Sequence, residues 1–125
     1  MEPLNEVLSL DQTLTVIDRL PRGTKVLIAC HHPLVEAGTH GKAWTRGGDH
    51  ALAELARRKV LATLSGHVHD AFDIVAETPN VPVRMVGSGT LSQRIRSTPQ
   101  SFNEITWDGE TMAVCVRNIA DVPTP

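Results

Sequence analysis

An α/β domain follows from three features of the chain. Two continuous apolar runs of strand length, residues 25–30 (KVLIAC) and 60–65 (VLATLS), flank a segment of helical periodicity at 50–59. A further helical stripe, Leu10, Leu14, Ile17 and Leu20, precedes the first run. Several short strand patterns separated by turn residues complete the chain, so the first part reads as α/β and the second as an antiparallel meander.

Ser9 is placed to cap the first helix, with Gln12 three residues on as in a capping box, and Pro21 with Gly23 ends it. The run at 25–30 suits a strand covered on both faces. His31-His32-Pro33 follows it and opens a long connection, 34–48, with four glycines, His40, Trp44 and Arg46; connections of that length are usually functional or disordered. Asp49 is expected to cap the second helix, which turns Leu52, Leu55 and Ala56 to one face. Residues 60–65 run directly into Gly66-His67-Val68-His69. Strands are expected at 72–77 and 83–86, and a hairpin of 102–107 and 111–119 around Asp108-Gly109. The tail, 121–125, is expected to fray.

At 125 residues with 41% hydrophobic and 21% charged residues, the chain suits one globular domain, ordered over about 9–119. A net charge of -2 supplies no bulk attraction to nucleic acid, and four aromatic residues (Trp44, Phe72, Phe102, Trp107) make poor stacking platforms. No apolar run has the length of a membrane span, and the first residues, Met1-Glu2-Pro3-Leu4, do not read as a secretory signal. Cys30 and Cys115 both fall in apolar runs and read as buried thiols in a reducing cytoplasm, with one disulfide as the alternative.

The chemistry lies in histidines just past strand ends. In an open α/β sheet, sites form at the carboxyl ends of strands. His31 follows the first apolar run, and His67 and His69 the second, with Gly66 permitting a tight turn. Neutral imidazole is the commonest metal ligand, and two histidines at i and i+2 on a turn can serve one metal or two adjacent ones. His40 and His50, each isolated, read as solvated side chains. Arg94 and Arg96 read as a solvated strand face, with phosphate support as the alternative. A Cys30–His31 nucleophile–base pair is disfavoured, because neighbours on a strand point to opposite faces. His67-Val68-His69-Asp70-Ala71-Phe72 departs from the H-x-H-x-D-H of metallo-β-lactamases in both the acid and the final histidine.

An apolar strand ending in His31-His32-Pro33, a helix, and a strand ending in Gly66-His67-Val68-His69 together resemble the calcineurin-like metallophosphoesterases. The similarity is closest to their cyclic-nucleotide and glycerophosphodiester phosphodiesterase branch. The segment from Val86-Gly87-Ser88-Gly89-Thr90 through Arg94, Arg96 and Ser101-Phe102-Asn103 is similar to that branch's C-terminal strands. The resemblance implies the C-terminal half of an α/β/β/α sandwich around a dinuclear centre of divalent ions (Mn, Fe or Zn). His31 and His67 would hold one ion and His69 the other, with His32 facing the substrate. A metal-activated hydroxide would then attack the phosphorus of a phosphodiester or phosphomonoester.

The family's other half carries D-x-H, G-D and G-N-H-[DE]. Here no Asp is followed two places on by His, and no Asn is followed directly by His. Gly48-Asp49 reads as a helix cap, with a bridging ligand as the alternative. Three imidazoles suit one ion better than two, because nothing bridges a pair or offsets its charge. The chain is therefore expected to be a partial domain, inactive by itself, with one sheet face uncovered. A complementary N-terminal half or a homo-oligomer would be its partner, and a phosphoester its substrate. A non-catalytic metal-binding or interaction module is the competing expectation.

Overall fold

A computed structural model describes residues 3–38, 45–66, 70–89 and 100–121. The elements are α1 (Pro3–Asp18), β1 (Leu27–Ala29), α2 (Gly48–Arg57), β2 (Ala62–Ser65), β3 (Phe72–Ala76), β4 (Val83–Gly87), β5 (Ser101–Trp107), β6 (Met112–Asn118) and a 3-10 turn, Ile119–Asp121. The architecture is α/β: a four-stranded mixed sheet in the order β1-β2-β4-β3, and a separate β5-β6 hairpin.

The strand order corrects the meander. β1, β2 and β4 run parallel, and β4 inserts between β2 and β3. Burial explains this. Val83, Met85 and Val86 are each 1% exposed, so β4 needs cover on both sides and takes a central position. β3 alternates, with Asp73 and Val75 exposed, and tolerates the edge. Gly87 is opposite Phe72 in the register, and a Cβ there would strike the Phe72 ring, so the aromatic ring occupies the space the glycine leaves.

One face of the sheet carries the core. Leu34, Leu52, Leu55, Ala56 and Val60 pack with Val83 and Met85, joined by Leu10, Leu14 and Ile17 of α1. The predicted stripe thus seats α1, except that Leu20 lies past the helix end and is 39% exposed. α1 also begins earlier than expected, at Pro3, which puts Ser9 inside the helix rather than at its cap. The N-cap of α2 is Gly47, in the left-handed region at φ 75°, and Asp49 belongs to the first turn, where its charge suits the helix dipole. Arg58 ties the two helices. Its Nε and Nη2 donate to Asp18 at 2.8 and 3.1 Å, and its Nη1 donates to Glu54 at 2.8 Å.

The opposite face of the sheet is incompletely covered. Leu27 of β1 and Val75 of β3 are 44% and 63% exposed, so β1 is an edge strand and not one buried on both sides. The hairpin reaches this part of the sheet through two polar ties: Arg84 Nη1 donates to the Met112 carbonyl at 2.6 Å, and Asn103 Nδ2 to the Gly87 carbonyl at 3.1 Å. Its turn is held by Asp108, whose Oδ1 accepts the Glu110 and Thr111 amides at 2.8 and 2.7 Å, beside Gly109 at φ 100°. Both cysteines are free. Cys115 is exposed on β6, against the buried reading, because the hairpin has one layer of neighbours and not two.

These ion pairs set an acid limit. Hydrogen bonds from Arg84 hold the Asp73 carboxyl below its ordinary value, and those from Arg58 do the same to Asp18. Depressed carboxylates mean that the unfolded chain binds protons first, so stability rises with pH through that range. Their contribution is complete above the ordinary Asp value of about 3.9 and is lost as pH falls through the lower folded value. The melting temperature measured by circular dichroism should therefore decline below about pH 4, and less steeply in Asp73→Asn. An unchanged slope in that variant would count against the assignment.

Candidate metal centre

The parallel ladder continues past the ends of the strands. The Cys30 amide donates to the Leu64 carbonyl at 2.8 Å, the Gly66 amide to the His31 carbonyl at 3.1 Å, and the Ser88 amide to the Ser65 carbonyl at 2.9 Å. Three adjacent carboxyl ends, those of β1, β2 and β4, are thereby locked side by side. His31 stands on the first of them and Gly66, the residue before His67, on the second. This is the part of an α/β sheet where ligands bind.

Downstream of His31 the backbone is anchored again. Pro33 and Leu34 are buried, Thr45 Oγ1 donates to the Pro33 carbonyl at 3.1 Å, and the Thr45 amide donates to the Leu34 carbonyl at 3.3 Å. Held from both sides, His31 and His32 pack edge to face with ring centroids 4.5 Å apart and planes at 86°. The His31 side is exposed and His32 is half-buried. The His31 imidazole is thus an accessible donor on a fixed backbone, and His32 packs directly against it.

His67 and His69 lie outside the described residues, as do His40, Arg94 and Arg96. The stretch that holds the histidine pair is bounded by Gly66 and Asp70, both described. Asp70 comes two residues before Phe72, which pairs with Gly87, as does Ser65. Both boundaries therefore sit at the carboxyl end of the parallel strands. Among the described residues, no three His, Cys, Asp or Glu side chains converge. His50 is exposed on α2, in keeping with a solvated side chain, and Asp49 is exposed one position before it.

Two neighbours bear on the chemistry. The Cys30 thiol lies against the Leu64 carbonyl, Sγ to O 3.7 Å, and burial pushes its pKa up, which removes thiolate at neutral pH. That agrees with the exclusion of a Cys30–His31 catalytic pair. A cleft of about 370 Å³ opens beside the strand ends, lined by Cys30, Ser65 and Ser88 from the sheet and by Phe102, Asn103 and Ile105 from the hairpin. Of the three expected ligands, His31 is the one that falls among the described residues, at a strand end fixed by hydrogen bonds on both sides. Sequence reasoning passed over Asp70, which is 6% exposed. The signal was its place directly after His69, which was weighed only against a motif of another family.

Compared with protein-family models and with curated proteins, the chain matches none.

Proposed function

We propose that this chain is the C-terminal half of a divalent-metal phosphoesterase, completed by a polypeptide that supplies carboxylate ligands. The observation that carries the reading is the Gly66 amide donating to the His31 carbonyl at 3.1 Å, which sets the residue before His67 beside His31. His31, His67 and His69 would hold the ion, and His32 would meet the phosphoester. The ion, when bound, supplies positive charge to the phosphoryl oxygens and acidifies water. The hydrogen bonds of Gly66 and Thr45 hold the backbone on either side of His31. The incompletely covered sheet face agrees with half of a two-sheet sandwich, and a reducing cytoplasm suits two free thiols. No helix among the described residues is long and apolar enough to cross a membrane.

Titration of the purified chain with Zn²⁺ is expected to give one ion per chain, absent in His31→Ala and His67→Ala. The chain alone is expected not to hydrolyse bis(p-nitrophenyl) phosphate. Failure to bind any ion would end the metal reading. Two ions with sustained turnover would end the half-domain reading. The second reading, a metal-binding module without catalysis, is favoured by the lack of D-x-H and G-N-H segments. Finding both segments encoded directly upstream would decide for the enzyme.

A further inference from the structure

The β5–β6 hairpin lies over the second face of the four-stranded sheet, and among the described residues two side-chain hydrogen bonds fasten it there. Side chains alternate along a strand, and paired residues share a face. The register therefore puts Asn103, Ile105 and Trp107 of β5 on one face of the hairpin with Met112, Val114 and Val116 of β6. Asn103 and Ile105 line the cleft together with Leu64 and Val86, so this face is turned toward the sheet. It is not seated there: Ile105, Trp107 and Val116 remain 37%, 41% and 48% exposed. A packed apolar face would lose that exposure, and its burial would hold the hairpin down. A cleft of about 370 Å³ stands in place of that contact.

The two ends of the hairpin are held differently. At its base, Ser101 is 4% exposed and fills the space beside Gly89, where a Cβ would strike the Ser101 hydroxyl. The Ile119 amide closes the base by donating to the Gln100 carbonyl at 3.0 Å. Just beyond, Asn103 Nδ2 donates to the Gly87 carbonyl, while Asn103 Oδ1 is cut off from water with no partner among the described residues. An unpaired buried acceptor favours any motion that lets water reach it. Near the tip, Arg84 is the fastening. Asp73 on the next strand accepts from its Nε and Nη2 at 2.8 and 2.6 Å. That grip aims Nη1 at the Met112 carbonyl, 2.6 Å away, in the last strand pair before the turn. A packed residue at the base and one charge-assisted bond near the tip make a pivot and a catch.

We infer that the β5–β6 hairpin is a hinged cover. It pivots about its base at Ser101, is latched near its tip by Arg84, and opens the cleft while the four-stranded sheet stays folded. Cys30, Ser65 and Ser88, at the carboxyl ends of the three parallel strands, lie beneath it and become accessible when it lifts. The cover acts on whatever enters that cleft and does not depend on a bound ion.

The Cys30 thiol reports the opening. In a Cys115→Ser background, which removes the exposed thiol, the rate of Cys30 alkylation by N-ethylmaleimide is measured at several urea concentrations below the unfolding transition. Its urea dependence is compared with that of global unfolding followed by circular dichroism. Cys30 should react through an opening whose urea slope is much shallower than the global one, because lifting a hairpin exposes little surface. Arg84→Gln should raise the rate by about 10-fold or more, the effect of losing one hydrogen bond from a charged donor. Arg84→Lys, which keeps a charged donor, should raise it less, and it carries the comparison if Arg84→Gln does not fold. Alkylation with the full urea slope of global unfolding would overturn the proposal, since the thiol would then be reached only when the sheet comes apart. So would equal rates in the parent and the Arg84 variants, because access would not run under the latch. A parent thiol that reacts as fast as in the unfolded chain would overturn it as well, showing a cleft that nothing covers.

Discussion

Gly48→Ala should cost the chain about 3 kcal/mol and loosen the strand end that carries His31. A Cβ at Gly48 would run into the backbone carbonyl of Leu34, and backbone has no rotamer by which to yield. Gly48 is buried, its amide donates to the Thr45 carbonyl at 2.8 Å, and Thr45 in turn binds the carbonyls of both Pro33 and Leu34. The first turn of α2 is thus wedged beneath the segment that leaves β1. Moving it displaces the anchor just beyond His31 and His32. Chemical denaturation measures the stability loss, and Zn²⁺ titration at a temperature where the variant is still folded measures the loosening. Asp49→Asn is the matched control. Asp49 is exposed, so its replacement should stay within about 0.5 kcal/mol and leave ion binding unchanged. A lost ion in that control would restore Asp49 as a ligand; a harmless Gly48→Ala would show that the wedge gives way.

Leu55→Ala should remove roughly 2–5 kcal/mol, by lost transfer energy and by the cavity left behind. Leu55 is 2% exposed and sits among Leu34, Leu52, Val60, Val83 and Met85, where α2 meets β4. Domains of this size are stable by about 5–15 kcal/mol in total. A sheet whose second face is incompletely covered has less apolar burial to draw upon, so the variant should lose its cooperative urea transition or keep a much lower midpoint. A loss under about 1 kcal/mol would mean that α2 is not seated as described.

Much of the fold was legible because its signals are local. Ala51, Leu52, Leu55 and Ala56 at helical spacing mark the buried face of α2, and Asp108-Gly109 marks the hairpin turn. What escaped is set by distant partners. The parallel placement of β4 depends on which strand most needs two neighbours, and nothing within residues 83–87 announces β2 as one of them. The cap at Gly47 was hidden by a better capping letter two places on, because the close approach of Leu34 governs that turn, not hydrogen-bond propensity. At the site, the strand-end position of His31 followed from the apolar run before it. Asp70 was missed because its burial is a property of the assembled sheet edge and not of its neighbours in sequence.

The short first strand has one more consequence. A three-residue edge strand could in principle slide along its neighbour, and a shift of a single residue would turn every side chain to the other face. The two hydrogen bonds beyond β1, from the Cys30 amide and to the His31 carbonyl, fix the alignment against β2. If the chain binds an ion as proposed, the fraction of molecules able to load it would double as a gauge of strand alignment.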